Sequence, residues 1–501
     1  MLPVTLQHLL APAAYPHPVA AVRLIETHIS WVLIAGDHAY KIKKPVDLGF
    51  LDFSTLEKRR SCCQEEVRLN RRLAPETYLG VVPVTDAGIA GDGEARDWAV
   101  QMRAFPAEAT LDRQGAVTPE RIDAIADRVA RFHREIRTAP EPSGYGTAEA
   151  AMHPVRENLR QLGELEAAPQ PALAAIEAWS EREYRRLQRH FAQRKAAGCI
   201  RECHGDLHLG NIAWVDDAPL IFDCIEFNPA LRFIDVISEV AFLCMDLIAR
   251  DLDALAWRFL NRYLEQTGDY AGLAALRFYL VYRAMVRAKV AGIRARQGDS
   301  ASAADVARYL ALAERWSRSG RPILLLMHGL SGSGKTWLSQ RILETHAAVR
   351  LRSDVERKRL FGLAPLQDSA AIPEDIYTPE ASRKTFARLL VLAGELLQAG
   401  YPVIVDATFL KAAHRAPFEE LAAQRGLPWR IATLKADGDL LRRRLASRAA
   451  RRDDASEADL PVLERQLQAY EALTGAETAH AVTFDCADTS DWPGLIACLG
   501  Q

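Results

Sequence analysis

The chain has 501 residues, 49% of them hydrophobic and 26% charged, with a formal net charge of −2. That length exceeds one ordinary core and predicts two or three domains, while the composition excludes an intrinsically disordered chain. The near-neutral balance excludes global attraction to nucleic acid or to an anionic membrane surface, so any basic site has to be local.

The opening "MLPVTLQHLLAPAAYPHP" has no Lys or Arg and places prolines soon after a short apolar run, a poor match to a signal peptide. No apolar stretch approaches the roughly 20 residues that cross a bilayer. A cytosolic location without membrane attachment is therefore expected. The eight cysteines are expected to be reduced thiols. There is no C-x-x-C pair, and Cys199, Cys203 and His204 lack a fourth ligand at zinc-finger spacing.

Up to about residue 105 the chain has strand character: "VRLIETHISWVLIAG" and "HAYKIKKP" meet at Gly36-Asp37, a hairpin signal. A charged segment from Ser54 to Leu73 has Leu56, Val67, Leu69 and Leu73 at roughly helical spacing, and "YLGVVPVTDAG" and "DWAVQMRAF" restore strands. From Pro119 to Ala311 the pattern is nearly all helical, interrupted from His204 to Asn228. The interruption carries His204-x-Asp206-x-x-x-x-Asn211, followed by Asp223 on the end of the apolar run Leu220-Ile221-Phe222. Phosphoryl transfer from ATP needs a carboxylate near the acceptor hydroxyl and oxygen ligands for Mg²⁺. Protein kinases carry these parts in this order. Asp206 is read as orienting or accepting the hydroxyl proton, Asn211 and Asp223 as metal ligands, and His204 as a buttress of the loop.

The segment "HGDLHLGNIAW…IFDCIEF" resembles the catalytic stretch of the aminoglycoside and choline phosphotransferases, a likeness that extends over roughly residues 20 to 315. The resemblance implies a two-lobed protein-kinase-like fold with ATP in the cleft and a small hydroxylated acceptor held by the helical lobe. It also implies a third-strand lysine that pairs with the ATP phosphates and with a helix glutamate. Lys41 takes that place, with Lys43 two residues on along the same face. Glu66 is the expected partner, with Glu65 beside it. One departure stands out: no G-x-G-x-x-G loop precedes Lys41, and the corresponding turn reads "IETHISW". Glycines are what let backbone amides approach phosphates closely, so another cover or weak turnover is expected. Asp235, Glu239 and Asp246 are candidates for a pocket that holds a cationic acceptor, with Asp235 alternatively tying the catalytic loop. The likeness does not establish an antibiotic acceptor, because specificity lives in the site and not in the fold.

After the polar connector Ser317–Pro322 the character changes. The apolar run Ile323–Met327 leads into "GLSGSGKT", an unbroken match to G-x-x-x-x-G-K-[ST], and "WLSQRILETH" reads as the following helix. Gly329, Gly332, Ser333 and Gly334 would cup phosphates at the helix N-terminus, Lys335 would reach the β- and γ-phosphates, and Thr336 would ligate Mg²⁺. Asp406 ends the strand "VIVDAT" where a second metal-organising carboxylate belongs. This half, roughly residues 321 to 500, resembles the P-loop kinases of AAA type, including polynucleotide, zeta-toxin-like and sugar kinases. By that likeness Asp354 in "VRLRSDVERKRLFG" is the acceptor base, with Arg352 or Arg357 near the acceptor; a helix cap is the alternative role for Asp354. "LRRRLASRAARRDD" puts six arginines between Arg442 and Arg452, with Arg444, Arg448 and Arg451 on one helical face. They read either as a solvated face or as a lid, in which Arg448 and Arg452 would offset transition-state charge.

The expected architecture is an α+β, two-lobed kinase-like domain over residues 1–318, with its β-rich lobe about 1–105 and its helical lobe about 106–318. An α/β P-loop NTPase domain with a parallel sheet follows over residues 321–501. The expected function is that of a bifunctional, ATP- and Mg²⁺-dependent phosphotransferase acting on hydroxyls of small metabolites, sugar- or amino-alcohol-like. Two alternatives stay open: a polynucleotide 5′-hydroxyl kinase in the C-terminal half, or a P-loop ATPase regulated by a non-catalytic, ligand-binding N-terminal half.

Overall fold

The computed structural model describes residues 2–49, 51–165, 168–296, 299, 302–318, 320, 322–451 and 454–499, without the side chains of 448–451. Packing divides the chain into two compact units, Met1–Glu164 with Glu181–Asp246, and Leu165–Ser180 with Leu247–Gln501. The division falls inside the helical stretch, whereas the composition changes near residue 320.

The first unit opens with a six-stranded antiparallel sheet of spatial order β1-β2-β3-β6-β4-β5. Its strands are β1 (Val22–Glu26), β2 (Ser30–Ala35), β3 (His38–Lys43), β4 (Tyr78–Thr85), β5 (Gly88–Ile89) and β6 (Asp97–Arg103). Gly36 turns β2 into β3 at φ +59°, as a Gly-Asp hairpin signal requires. Alternation along these strands buries Trp31, Leu33, Tyr40, Ile42 and Ala99 on one face, where the N-terminal turns add Leu6 and Leu9. The other face receives α1 (Leu56–Asn70), which is capped by Thr55 and packs Cys63 and Val67 against Tyr78 and Val100. There follow α2 (Pro119–Glu135), α3 (Ala148–Gly163) and α4 (Gln170–Ala196), the last from Glu181 onward in this unit. Next come β7 (Ile200–Glu202), the hairpin of β8 (Ile212–Val215) and β9 (Ala218–Ile221), α5 (Pro229–Arg232), β10 (Phe233–Asp235) and α6 (Val236–Ile248). β10 pairs antiparallel with β7, so the loop after β7 is framed by two short ribbons.

The second unit contains α7 (Asp253–Thr267), α8 (Leu273–Arg296) and α9 (Ser302–Ser317), and then an α/β half. That half runs β11 (Leu324–His328), α10 (Lys335–His346), β12 (Val349–Arg352), α11 (Ser353–Leu360), α12 (Pro379–Gln398), β13 (Val403–Asp406) and α13 (Ala412–Gln424). It ends with β14 (Trp429–Lys435), α14 (Gly438–Arg451), α15 (Leu460–Gln468), α16 (Gly475–Thr478), β15 (Ala481–Asp485) and α17 (Trp492–Cys498). The five strands are parallel, in the order β12-β13-β11-β14-β15. β11 and β13 are buried throughout, as strands covered on both faces by helices must be. None of the eight cysteines is in a disulfide. Among the described residues no helix is long and apolar enough to cross a membrane.

Candidate active sites

In the first unit Lys41 and Lys43, two apart on β3, share one face. The Lys41 ammonium donates to Glu66 at 2.9 Å and to Asp223 at 2.5 Å. Lys43, completely buried, donates to the other oxygen of Glu66 at 2.7 Å and to Glu226. Glu65 is paired instead with Arg68 at 2.7 Å and with Arg232 at 2.6 Å. Burial works against the Lys41 ammonium, yet Asp223, Glu66 and Glu226 together raise its pKa well above the usual lysine value. Burial likewise opposes the Glu66 carboxylate, but the two lysines hold it down to about 2. Glu226 is the carboxyl that goes up, through its burial and the neighbouring Glu66. Lys43 and Glu226 thus form, with the expected pair, a buried quartet that sequence reasoning missed. The available signal was the lysine two residues on, since a buried charge needs a partner.

Asp223 has φ +65°, a left-handed conformation held by hydrogen bonds from its own amide to the Tyr78 hydroxyl (3.1 Å) and from the Cys224 amide to Asn70 (2.9 Å). The Asn211 amide nitrogen donates to the Asp206 backbone oxygen (3.0 Å) and carboxylate (3.1 Å), which leaves the Asn211 oxygen as its ligand atom. Asp206, Asn211 and Asp223 thus present hard oxygen donors of the kind Mg²⁺ takes. His204 bonds the Phe222 carbonyl from Nε2 at 2.8 Å and accepts at Nδ1 from the Asp206 amide, the pattern of an Nε2–H ring. Burial opposes its charged form, but Cys224, Glu239 and Asp206 raise its pKa to about 9, so the geometry and the electrostatics point to different protonation states. The turn without glycines is closed by its own side chain: the Thr27 hydroxyl accepts from the amides of Ile29 (3.4 Å) and Ser30 (2.9 Å).

The proposed acceptor role of Asp235, Glu239 and Asp246 is corrected by their burial, at 2%, 1% and 0% exposure. Asp235 binds Arg194 at 2.6 and 2.7 Å, and Asp246 accepts from the Leu209 amide at 3.0 Å. Glu239 accepts from the amides of His204 (3.1 Å) and Gly205 (2.6 Å) and bonds His133 at 2.9 Å. These carboxylates hold the loop and its surroundings in place. Burial pushes the Glu239 pKa up, but the His133 bond leads the opposing interactions and the net value is about 2. Its stabilising effect is therefore present above pH 4.5, its ordinary value, and is lost as the pH falls toward 2. Glu239→Gln should destabilise the unit by about 1–3 kcal/mol at neutral pH, since an amide cannot accept from the whole set. Calorimetric melting between pH 7 and 2 checks this, and the variant should show a weaker loss of melting temperature below pH 4.5 than the wild type.

In the second unit the site lies at the carboxyl ends of the parallel strands, where such sheets bind ligands. Gly332 and Gly334 adopt φ +84° and +100°, and a Cβ on Gly332 would come within 3.1 Å of the Leu441 carbonyl. Side chains at these positions would strain the loop and push α14 away. Gly329 and Ser333 complete the loop. Lys335, in the first turn of α10, donates to the carbonyls of Gly329 and Leu330, both at 2.9 Å. Arg352 and Asp406 are register partners on β12 and β13. They line one cleft of about 610 Å³ together with Lys335, Thr336, Asp354 and Tyr377. Asp354 sits in the first turn of α11, a helix whose N-cap, Arg352, has no side-chain cap bond, so the capping role falls to neither Ser353 nor Asp354. Thr336 and Asp406 contribute oxygen donors to the same cleft, a set that fits Mg²⁺. Arg357 is tied to the Ile376 carbonyl at 3.0 Å and stacks over Tyr377 at 5.3 Å.

Of the arginine run, Arg444 reaches the phosphate loop, donating to the Ser333 carbonyl at 3.0 Å, and Arg442 pairs with Asp439 and Glu464. The side chain of Arg448 and the whole of Arg452 lie outside the described residues. Gln466 on α15, absent from the sequence reading, accepts from the Ser331 amide at 2.8 Å and also holds the loop. No local pattern marks a glutamine for that role.

Residues 53–279 match the phosphotransferase enzyme family, and residues 324–473 match the AAA domain family. The uncharacterized protein Rv2004c of Mycobacterium tuberculosis (strain ATCC 25618 / H37Rv) is 32% identical over 448 residues, 88% of this chain and 89% of that protein. The uncharacterized protein Mb2027c of Mycobacterium bovis matches to the same extent. Among solved structures, a gluconokinase from Sinorhizobium meliloti 1021 is 21% identical over 36% of this chain and 95% of its own, with a TM-score of 0.26. A choline/ethanolamine kinase family protein from Mesorhizobium loti is 13% identical over 61% and 90%, with a TM-score of 0.38. By its matched families the molecule is an ATP-dependent kinase, a phosphotransferase domain with a kinase-like fold fused to a P-loop kinase domain with a parallel sheet. The chain belongs to the family of these mycobacterial proteins.

Proposed function

We propose that each half transfers the γ-phosphoryl group of ATP to a hydroxyl of a small metabolite, sugar- or amino-alcohol-like, with Mg²⁺ at both sites. The observation that carries the reading is one cleft lined by Lys335 and Thr336 together with Asp354 and Arg352. In this reading the acceptor oxygen forms the new P–O bond as its proton passes to Asp354. The bond from the γ-phosphorus to the bridging oxygen breaks, and ADP leaves. Lys335 and Arg444 balance the charge that builds on the transferred group. Thr336 and Asp406 would hold Mg²⁺, which would supply neutralisation of phosphate charge. In the first unit Asp206 would take the proton, Lys41 would hold the phosphates, and Asn211 and Asp223 would hold the metal.

The test is phosphoryl transfer from radiolabelled ATP to a panel of sugars, amino alcohols, aminoglycosides and oligonucleotides, with the wild type, Asp206→Asn and Asp354→Asn. Each variant should lose about 10²–10⁴-fold on its own acceptor class and leave the other class untouched. Labelling of oligonucleotides alone would replace this reading with a polynucleotide kinase. A second reading is favoured by Thr27, which takes up the turn amides that glycines would offer to phosphate. In it the first unit binds ligand without turnover, and Asp206→Asn leaves every acceptor's rate unchanged.

A further inference from the structure

Glu265 lies on α7, outside the residues that match the AAA domain family and inside those that match the phosphotransferase family. Its carboxylate is 4% exposed and holds two guanidiniums of β12. Arg350 donates to Glu265 Oε1 from Nε (3.0 Å) and Nη2 (2.7 Å), and Arg352 lies 3.5 Å from Oε2. The same Arg350 donates from Nη1 to the Thr336 carbonyl and to the Ser339 hydroxyl, both at 3.2 Å. Ser339 in turn lies 3.2 Å from Asp406 Oδ2. Arg352 pairs with Asp454 and lines the cleft beside Asp354. Asn261, one turn earlier on α7, fixes the start of the same strand, donating to the Ala348 carbonyl at 2.9 Å and accepting from the Arg350 amide at 2.7 Å. A buried carboxylate with two guanidiniums is stable only as a set, because removing one member leaves the others desolvated and unpaired.

We infer that Glu265 is a positioning residue of the P-loop site: through Arg350 it sets the metal-binding pair Thr336 and Asp406, and through Arg352 it sets the acceptor end. The inference deepens the proposed magnesium-dependent reaction and rests on it. Outer partners that orient metal ligands typically change metal affinity 10–100-fold when lost.

The experiment uses the full chain carrying Asp206→Asn, so that the first site is silent. Two quantities are titrated against Mg²⁺: Lys335-dependent ATP turnover, and the part of the binding of a fluorescent ATP analogue that Lys335→Ala removes. Glu265→Gln is expected to raise the Mg²⁺ midpoint about tenfold in both. In the pair Glu265→Gln with Arg350→Gln the midpoint should move no further than in the more affected single variant, because the two act as one unit. Unchanged midpoints at an unchanged melting temperature, or effects that multiply in the pair, overturn the inference. If Glu265→Gln fails to fold, Glu265→Asp replaces it, with an intermediate shift expected and no shift decisive against. Turnover that ignores Lys335→Ala removes the proposed reaction instead, and the binding midpoint still judges Glu265 by itself.

Discussion

Lys335→Ala should lower ATP turnover at the P-loop site by about 10²–10³-fold, the range seen when one preorganised donor to developing charge is removed. The ammonium sits at the start of α10 and folds back onto the Gly329 and Leu330 carbonyls at 2.9 Å, so it already lies within the loop that cups phosphate. Two effects add there. The lysine supplies a full positive charge, and the helix N-terminus supplies a partial one. Alanine removes the first and leaves the second, so nucleotide binding should weaken less than the chemical step slows. Steady-state kinetics in the Asp206→Asn background would show kcat falling by more than the ATP KM rises. A KM effect alone would mean that Lys335 binds substrate and transition state equally well.

The second large effect is on folding. Glu66→Ala should destabilise the first unit by about 3–5 kcal/mol, the cost of leaving partners of a buried ion pair uncompensated. Lys41 would keep Asp223 and Lys43 would keep Glu226, but both ammoniums lose the carboxylate they share, and the Lys43 side chain has no exposure to water. The melting temperature of that unit should drop by about 6–20 °C. In Glu66→Gln, adding Lys43→Met together with Glu226→Gln should recover much of the loss, because the buried charges that depend on one another are then removed as a set. Calorimetry resolves both. Phosphoryl transfer that depends on Asp206 should vanish in Glu66→Ala and stay absent in the rescued triple variant, since Lys41 is then no longer held from α1.

Much of this was legible in local sequence. The P-loop announces itself because its glycines, lysine and threonine are consecutive and flanked by an apolar strand and a helix. Asp206, Asn211 and Asp223 are readable for the same reason, as spacing within one loop and one hairpin. The juxtaposition of Lys41 with Glu66 needed the likeness to phosphotransferases, because 25 residues separate them. Partners without a local pattern stayed hidden. Glu239 and Asp246 looked like pocket residues because an acidic side chain on an apolar helix suggests a ligand, but here the ligands are backbone amides of the protein's own loop. Glu265 and Arg350 lie 85 residues apart, and neither belongs to a motif. In the arginine run helical spacing marked a face, on which Arg444 meets the loop, while the Arg448 side chain and Arg452 lie outside the described residues.

The grip of α7 on β12 bears on how such a gene can be rearranged. A recombination event that carried residues 321–501 into another chain would leave Asn261 and Glu265 behind, and with them the side chain that neutralises Arg350 and Arg352 inside the sheet's edge. The P-loop half is therefore not an interchangeable cassette. Its inheritable piece begins upstream of its own signature motif, within sequence that by family belongs to its neighbour.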